Sequence, residues 1–402
     1  MTFLDFIKEN ALGPEAIHGP GCLKELLEQM EQGLSGLGNI PMLPSYLAAD
    51  IRPAAGECCC VLDAGGTNLR LAKAEFDAAG NCTIGGLRKV PMPGTLGELT
   101  AGEFYSQLAA YAEETGCTDR VGFCFSFNVD MDRTLDGNLI AWCKEVRVPD
   151  APGKPVGTSL QKALGPKCKT VRVLNDSTAA LLGAKAQDPD VTLGLILGTG
   201  INICYPEKLE RIAKVPGDLR GETMIISTEI GEFSGFPKNR FESAVIGASD
   251  DPALAQAEKQ CAGAYLGDVI SGAWRAAARD GLLEKAFETP VNLPQISEYL
   301  AGGETDLPES EAAKRVAETM VHRAAKIAAI LTAGAVLRSC EPGDTCKMVI
   351  EGSQYTKLTC FGEFFRKELD DLLNPYGIHV VITQAENACL IGAAVAAFAE
   401  EM

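Results

Sequence analysis

Residues 62–70 read Leu62-Asp63-Ala64-Gly65-Gly66-Thr67-Asn68-Leu69-Arg70. An apolar run precedes this stretch and alternating apolar and polar residues follow it, which predicts a strand, a tight turn and a second strand. The two glycines allow backbone N–H groups to approach a ligand such as a phosphate. No Gly-Lys-Ser/Thr follows, so the stretch is not a P-loop. Because a Gly-Gly hairpin is most often a plain turn, this stretch alone leaves the function open.

A second stretch repeats the pattern at residues 191–205. The apolar run 191–197 is followed by Gly198-Thr199-Gly200 and then by an alternating strand that begins Ile201-Asn202. Two such hairpins predict two similar half-domains, each of which offers a glycine turn to one cleft. A triphosphate bound from both sides would explain the pair. The strand clusters alternate with helical patterns in both halves, which predicts an α/β protein with two lobes.

Length and charge restrict the class of protein and the partners. The chain has 402 residues, of which 46% are hydrophobic and 22% charged, as in ordinary globular proteins with two or three domains. A formal net charge of −18 argues against nucleic acid or an anionic membrane as the main partner. An anionic substrate such as ATP would need local cations, and Arg70 and Lys144 are the candidates.

The cysteines and the apolar segments predict a reduced, cytoplasmic protein. Fifteen cysteines include the run 58–60 inside a strand pattern, but no Cys-x-x-Cys pair occurs. The first ten residues lack the apolar core of a signal peptide. The Ala-rich stretch 310–339 resembles a membrane segment, but Arg323, Lys326 and Arg338 interrupt it. We therefore expect a buried core helix there.

The polar residues favour phosphoryl transfer. Three scattered histidines, His18, His322 and His379, give no Ser-His-Asp or histidine–metal arrangement. Carboxylates, amides, lysine and backbone N–H groups suit phosphoryl transfer, which depends on positioning and electrostatics. The pair Asn175-Asp176 follows a predicted strand and precedes a helix at 179–186, with Ser177 as its expected N-cap. Asp176 either accepts a proton from a substrate hydroxyl or merely caps this helix.

Four further side chains have both a functional and an ordinary interpretation. Asp63 ends a strand where a carboxylate could hold Mg²⁺ or its waters. Lys144 follows an apolar run and either stabilises developing negative charge or is a solvated surface lysine. Glu229 and Glu258 either accept hydrogen bonds from sugar hydroxyls or are simply solvated. The second lies in a stretch, 251–287, whose pattern is helical throughout.

Taken in order along nearly the whole chain, these motifs resemble the hexokinase/glucokinase family of the actin-like ATPase superfamily, in its single-unit bacterial form. Besides the two glycine turns, the matching segments are a sugar signature, a pair containing the catalytic base, two glutamate segments and an adenosine-side segment. In this sequence they read Phe125-Ser126-Phe127 with 135–144, Asn175-Asp176, Thr228-Glu229, Glu258-Lys259 with 263–267, and Glu351-Gly352-Ser353-Gln354-Tyr355.

The resemblance implies a duplicated actin-like (ribonuclease H-like) α/β fold, with ATP and Mg²⁺ bound in a cleft between two lobes. The residues implied at the nucleotide are Asp63, Gly65, Gly66, Thr67, Asn68, Arg70, Gly198, Thr199, Gly200, Gly352 and Ser353, with Asp63 holding Mg²⁺ through water. The residues implied at the hexose are Ser126, Cys143, Lys144, Asn175, Asp176, Asn202, Glu229 and Glu258, of which Asp176 and Lys144 are catalytic.

The resemblance also implies a division of the chain. N-terminal helices and a connector at 1–54 are expected to pack on the large lobe. The small lobe is expected at 55–175 and the large lobe at 176–386. A C-terminal helix at 387–402 is expected to return to the small lobe.

The implied activity is ATP-dependent phosphorylation of a hexose, foremost D-glucose, at its 6-hydroxyl, with lobe closure excluding water. Departures from the family pattern bear on the choice of sugar: Cys143 replaces a threonine, Glu145 a glycine, Asn128 a proline or serine, and Ile230 an aromatic residue. A kinase for mannose, fructose or an amino sugar, a non-catalytic sugar sensor and a sugar-independent ATPase stay open as alternatives. Donors other than ATP and a monomeric or homodimeric state also stay open.

Overall fold

The computed structural model describes residues 1–53, 55–142, 146–285, 290–307 and 309–402. The strands of this part of the chain are β1 (Leu43–Pro44), β2 (Cys58–Ala64), β3 (Asn68–Phe76), β4 (Cys82–Pro91), β5 (Arg120–Phe125), β6 (Asn128–Met131), β7 (Gly137–Ala141), β8 (Thr170–Leu174), β9 (Val191–Leu197), β10 (Ile201–Lys208), β11 (Thr223–Ser227), β12 (Thr345–Glu351) and β13 (His379–Thr383). The α-helices are α1 (Phe3–Glu9), α2 (Gly19–Leu34), α3 (Ala101–Glu113), α4 (Val156–Leu164), α5 (Asp176–Gln187), α6 (Arg240–Ala248), α7 (Glu258–Cys261), α8 (Gly263–Arg279), α9 (Leu293–Leu300), α10 (Glu311–Ser339), α11 (Ser353–Lys357), α12 (Phe361–Leu373) and α13 (Ala388–Ala396).

The strands form two main sheets with the same local plan. The five-stranded sheet has the order β4-β3-β2-β5-β8 and the six-stranded sheet the order β1-β11-β10-β9-β12-β13. In the first, the antiparallel hairpin β2–β3 is followed by β5 parallel to β2. In the second, the hairpin β9–β10 is followed by β12 parallel to β9. The predicted repeat and the two-lobed α/β fold are therefore confirmed.

Helices α5 and α13 lie between the two sheets and join the lobes. Helix α13 contacts β2, β5 and β8 of the five-stranded sheet, and α5 packs on β9 of the six-stranded sheet. Glycines allow the two helices to approach closely: a Cβ at Gly183 would lie 1.9 Å from the carbonyl oxygen of Ala388, and one at Gly392 would lie 1.8 Å from that of Ala179. The predicted catalytic base, Asp176 at the start of α5, is thereby placed at the junction of the lobes.

Helix α10 is long and apolar enough to cross a membrane by length and composition, but 83% of its most apolar window is buried inside the protein. Its neighbours include α2, α8 and α12. The predicted core helix is confirmed at this place. The division at 1–54, 55–175, 176–386 and 387–402 stays a prediction.

One pair of cysteines differs from the reduced state that the sequence predicts. Cys58 and Cys117 form a disulfide, with a Cα–Cα distance of 6.7 Å. The reason is tertiary: β2 pairs in parallel with β5, so the start of β2 lies beside the residues that precede β5. Cys59 and Cys60 point to opposite faces of the sheet and belong to different apolar clusters.

Two local predictions were wrong near the expected site. The N-cap of α5 is Asn175 rather than Ser177, because the Asn175 side chain accepts a hydrogen bond from the Ser177 N–H. Asp176 is therefore the first residue of the helix. The helical pattern at 251–287 also breaks, at Ala262, into the short α7 and the longer α8.

A buried ion pair connects the N-terminal segment to helices α6 and α10. Arg323 of α10 and Glu242 of α6 are each 2% exposed, and Arg323 Nε lies 2.7 Å from Glu242 Oε1. The same guanidinium donates to the carbonyl oxygens of Ala11 and Pro237. Removing one partner of a buried pair leaves the other charge without compensation, which typically costs about 3–5 kcal/mol.

We therefore expect Arg323→Met to lower the midpoint of urea unfolding strongly. Lys367→Met is the matched control, because Lys367 and Asp371 are 2.8 Å apart but 63% and 59% exposed. An exposed pair contributes about 1 kcal/mol or less, so the control should unfold near the wild-type midpoint. Equal midpoints for the two variants would show that burial does not increase the contribution of the Arg323–Glu242 pair to the free energy of unfolding.

Candidate active site

The first glycine turn connects β2 to β3 and places Arg70 beside Asp63. The two residues are opposite each other in the strand register. Arg70 Nε donates to Asp63 Oδ2 over 2.7 Å, and the Asp63 side chain is 10% exposed. The turn is closed by the Gly65 N–H, which donates to the Asn68 carbonyl over 3.1 Å. Asn68 Nδ2 donates to Thr67 Oγ1 over 2.8 Å. The hairpin thus presents a carboxylate, a guanidinium and a glycine turn together.

The second glycine turn, 198–200, is held from behind by the start of α8. The N–H groups of Gly263 and Ala264 donate to the carbonyl oxygens of Gly198 and Thr199 over 2.8 and 3.1 Å. The break between α7 and α8, which the sequence did not predict, is what makes these two N–H groups available. Neither the Thr199 nor the Gly200 N–H donates to another residue of the described ranges, so both can face a phosphate.

The adenosine-side segment packs against this second turn. Gly352 has φ of +120°, and a Cβ there would lie 2.3 Å from the Leu197 carbonyl oxygen, so only glycine fits. Helix α11 begins at the next residue, Ser353. Gln354 Nε2 donates to the Cys261 carbonyl over 2.6 Å and ties this segment to α7. The turn, the α7–α8 junction and the start of α11 therefore form one continuous backbone surface.

Asp176 stands at the start of α5 with its backbone fixed by Asn175. The Asn175 Oδ1 accepts from the Ser177 N–H over 2.9 Å and from the Ser177 hydroxyl over 2.8 Å. Asp176 Oδ1 also accepts from the Ser177 N–H over 2.8 Å. The side chain is half-buried. A carboxylate at a helix N-terminus is stabilised in its ionised form, as a proton acceptor requires.

Glu229 is held in an unusual backbone conformation by Asn202. Its φ and ψ are 53° and 45°, the left-handed region, which costs a non-glycine residue about 1–3 kcal/mol. The Glu229 N–H donates to Asn202 Oδ1 over 3.0 Å, and Asn202 Nδ2 donates to Glu229 Oε1 over 2.6 Å. This reciprocal pair offsets the strain and fixes the carboxylate. Strain of this kind is typical of functional sites.

A serine that the sequence analysis missed connects these elements. Ser227 ends β11 and is 4% exposed. Its hydroxyl donates to Glu229 Oε1 over 3.0 Å and accepts from Asn202 Nδ2 over 3.0 Å. It also lies 3.3 Å from the Ser177 hydroxyl of α5. A chain of polar contacts therefore links Asn175 through both serines to Glu229, in which Ser177 donates its proton to Asn175 and Ser227 donates its proton to Glu229. The sequence signal that could have identified Ser227 was its position as a polar residue at the end of an apolar strand.

Glu258 completes the set from α7. Its Oε2 accepts the Ile201 N–H over 3.0 Å, directly beside the second glycine turn. Burial, together with the charges of Asp176 and Glu258, raises the pKa of Glu229 to about 7 against the hydrogen bonds from Ser227 and Asn202. Three carboxylates thus face one region. A carboxyl group whose pKa is raised in this way is typical of functional sites.

Of the residues predicted at the hexose, the structure brings Asn175, Asp176, Asn202, Glu229 and Glu258 together. Ser126 follows β5, and its N–H donates to the Ala64 carbonyl over 3.2 Å, beside the first glycine turn. Cys143 and Lys144 lie outside the described residues. Trp142, just before them, donates through Nε1 to the Val148 carbonyl over 2.7 Å.

The donors near Asp63 fit a magnesium ion bound mainly through water and phosphate. Among the described residues, no group of three or more His, Cys, Asp or Glu side chains is placed to hold a metal by itself. One Asp63 oxygen is used by Arg70. Mg²⁺ in nucleotide sites uses one or two carboxylates and keeps several waters, so Asp63 alone is sufficient. Burial raises the pKa of the neighbouring Glu351 against the attraction of Arg70.

Gly200 couples the second turn to Glu258, which gives a testable prediction. A Cβ at Gly200 would lie 2.5 Å from Glu258 Oε2, the oxygen that the Ile201 N–H holds in place. Gly200→Ala must therefore displace either the carboxylate or the turn. For the two substrates that the resemblance implies, hexose and ATP, we expect the KM values to rise together by about tenfold or more, a cost of about 1.4 kcal/mol each.

Gly217→Ala is the control for this substitution, because a Cβ at Gly217 would meet nothing within 4 Å. Steady-state kinetics with each substrate varied in turn separates the two KM values. An increase for ATP alone would mean that Gly200 acts only at the phosphates.

Known proteins share both the sequence pattern and the fold. A family model described as Hexokinase matches residues 20–186, and a second model of the same description matches 192–300 and 283–399. Hexokinase-2 of Candida albicans is 26% identical over 93% of this chain and 87% of its own length. A hexokinase from Schistosoma mansoni complexed with glucose superposes with a TM-score of 0.83 at 22% identity, covering 98% of both chains. A ROK family glucokinase from Streptomyces griseus in complex with glucose and AMPPNP gives a TM-score of 0.52 at 19% identity, covering 84% of this chain and 98% of its own. With more than half of its length matched by the two family models, the chain belongs to the hexokinase family and is a hexose kinase.

Proposed function

We propose that the protein transfers the γ-phosphoryl group of ATP to the 6-hydroxyl of D-glucose, with Asp176 as the general base. The observation that carries this proposal is the position of Asp176 beside the Asn202, Glu229 and Glu258 set, at the junction of the two lobes. Glucose is the ligand named for two solved proteins of similar fold, and the glutamates found here have the chemistry to accept hydrogen bonds from its hydroxyls.

In this proposal the sugar lies against large-lobe side chains. The carboxylates of Glu229 and Glu258 and the amide groups of Asn175 and Asn202 bind its hydroxyls. Ser126 approaches from the small lobe. Ionised carboxylates accept hydrogen bonds only, so they select a ligand that presents several donors in fixed directions.

The transfer step then requires one proton acceptor. The oxygen of the 6-hydroxyl attacks the γ-phosphorus as its proton passes to Asp176, and the bond from phosphorus to the bridging oxygen breaks so that ADP leaves with the electron pair. In this proposal the N–H groups of Thr199 and Gly200 bind phosphate oxygens, together with N–H groups of the first turn other than that of Gly65, which donates to the Asn68 carbonyl. Lys144 remains a predicted contributor to charge stabilisation.

Magnesium is also part of the proposal. Asp63 would hold the ion through water, and bound Mg²⁺ would neutralise charge on the β- and γ-phosphates. Arg70 orients Asp63 for this contact, because its Nε donates to Asp63 Oδ2.

The choice of sugar is tested by ADP release with Mg-ATP and a panel of glucose, mannose, fructose, glucosamine and N-acetylglucosamine, with a no-sugar blank. The ranking of kcat/KM values identifies the preferred hexose. 6-Deoxyglucose is the matched control for the acceptor, because it keeps the other hydroxyls and lacks the one that attacks. We expect the highest kcat/KM for glucose and no turnover with 6-deoxyglucose. Turnover with 6-deoxyglucose would disprove transfer to the 6-hydroxyl.

The cysteine at position 143 points to a second possibility, a protein that binds glucose without phosphorylating it. A thiol is a weaker hydrogen-bond donor than the threonine hydroxyl that the family pattern has there. Glucose binding measured by calorimetry, without ADP release on any sugar of the panel, would favour a sugar sensor over a catalyst.

A further inference from the structure

Two cysteines meet where α10 ends and β12 begins, at the opposite end of β12 from Glu351. Cys340 is the C-cap of α10, and Cys346 is the second residue of β12. A turn between them is closed by the Asp344 N–H, which donates to the Glu341 carbonyl over 3.1 Å. The chain reversal brings the two thiols within hydrogen-bonding reach of each other.

Hydrogen-bond donors surround the sulfur of Cys340. The Ser339 hydroxyl lies 3.8 Å from it, and the hydroxyl of Thr192 and the thiol of Cys346 also face it. The Thr192 hydroxyl is 3.5 Å from the Cys346 sulfur as well, so it contacts both thiols. The Ser339 hydroxyl already donates to the Ala335 carbonyl over 2.9 Å. The Cys346 thiol and the Thr192 hydroxyl are therefore the donors that can stabilise a Cys340 thiolate.

The two thiols have different exposure and different acidity. Cys340 is partly exposed, whereas Cys346 is fully buried. The hydrogen bond from Cys346 is the largest influence on the Cys340 thiol and lowers its pKa to about 7, against burial and the charge of Asp344. The pKa of Cys346 is raised by the same contact and by its burial. One thiol is therefore accessible and ionisable, and its neighbour is a protected, protonated partner.

We propose that Cys340 and Cys346 form a peroxide-sensitive dithiol site. The Cys340 thiolate attacks one oxygen of hydrogen peroxide, the O–O bond breaks, and the departing hydroxide takes up a proton to become water. Cys340 is thereby oxidised to a sulfenic acid. The Cys346 sulfur, losing its proton to the departing hydroxyl, then attacks the Cys340 sulfur, the S–O bond breaks, and a second water leaves. The product is a Cys340–Cys346 disulfide.

A second pair of thiols in this chain provides an internal comparison. Cys124 and Cys389 are also in hydrogen-bond contact, but they are 0% and 8% exposed and lie near the carboxylates of Asp63 and Asp176. Burial and negative charge both disfavour the thiolate. The contact between two thiols alone is thus not expected to make them reactive.

The test uses the purified full-length protein, treated with hydrogen peroxide near pH 7.5, alkylated with iodoacetamide and digested with trypsin. Cleavage after Arg338 and Lys347 releases both cysteines in one peptide, residues 339–347. We expect this peptide to lose 2 Da and escape alkylation, and to regain two alkylated cysteines after reduction. Full alkylation of this peptide after peroxide treatment, with oxidation elsewhere in the chain, would overturn the proposal.

Variants assign the two roles. In Cys346→Ser the reaction should stop at a sulfenic acid on Cys340, which dimedone captures, whereas Cys340→Ser should leave Cys346 unoxidised. Thr192→Val should slow the alkylation of Cys340 by about tenfold at pH 7 by removing one donor. Cys389→Ser should change none of these results. Oxidation of Cys346 in the Cys340→Ser protein would contradict the assignment of Cys340 as the attacking thiol.

Discussion

Replacing Asp176 by asparagine should lower kcat by a factor of about 10² to 10⁴, the usual contribution of a general base. Asparagine keeps the size of the side chain and an oxygen that can accept from the Ser177 N–H, as Asp176 Oδ1 does over 2.8 Å. Helix α5 should therefore still begin at this residue, with Asn175 as its N-cap. What the variant lacks is an atom that can take the proton of the attacking hydroxyl.

Measurements of ligand binding distinguish the loss of the proton acceptor from a general disturbance of the site. Isothermal titration with glucose and with ATP should give dissociation constants within a few-fold of wild type. Asp190→Asn is the matched control, because Asp190 lies beyond the other end of the same helix and its side chain is 78% exposed. Near-normal turnover by Asp176→Asn would remove Asp176 from the mechanism.

Glu229→Gln should reduce kcat/KM for hexose by about 10² or more. The reason is that a buried polar site loses much of its transition-state binding when a hydrogen bond to a substrate hydroxyl is lost. Glutamine can still accept from Asn202 Nδ2 but replaces a charged acceptor with a neutral amide. In the wild-type protein the pKa of Glu229 is about 7, so kcat/KM should rise as the pH increases through 7 and the carboxylate ionises. The Glu229→Gln variant should lack this rise of kcat/KM with pH, because glutamine does not ionise.

The same substitution should stabilise the sugar-free protein at alkaline pH. The pKa of Glu229 is raised from 4.5 to about 7 on folding, so between these values the unfolded chain loses a proton that the folded protein keeps. Stability falls with rising pH over this window, and the full cost above pH 7 is at most about 3 kcal/mol. Glu229→Gln removes that cost.

Thermal unfolding at pH 5 and pH 8 measures this effect. The melting temperature of Glu229→Gln should exceed that of wild type at pH 8, and the difference should shrink at pH 5. Asp190→Asn serves again as the exposed control and should show no such pattern. A lower melting temperature for Glu229→Gln at both pH values would mean that the carboxylate stabilises the folded protein, contrary to this account.

The sequence predicted those features that depend on local pattern. The glycine turns at 65–66 and 198–200 were visible because a strand, a turn and an alternating strand occur within about twenty residues in each case. Helix α10 was visible because its apolar run carries charges that a membrane segment would exclude. The match to known motifs then supplied roles for residues such as Asn202, whose neighbours in sequence are unremarkable for a buried strand.

The features that the sequence did not predict depend on contacts between distant segments. Ser227 acquires its importance from Ser177 and Glu229, and the first of these lies 50 residues away. The break between α7 and α8 follows from hydrogen bonds to the 198–200 turn rather than from local propensity. The left-handed conformation of Glu229 is likewise maintained by Asn202. Strand register and loop packing decide these contacts, and neither can be read from periodicity.

Glucose-dependent formation of ADP from Mg-ATP is the decisive test of phosphoryl transfer to glucose with Asp176 as the base. The assay compares wild-type protein with and without glucose and runs Asp176→Asn in parallel, with the sugar product identified by phosphorus NMR. The account predicts ADP formation only when glucose is present, a 6-phosphate product in equal amount, and a loss of both in the variant. ADP formation at the same rate without glucose, or equal turnover by wild type and variant, would contradict it.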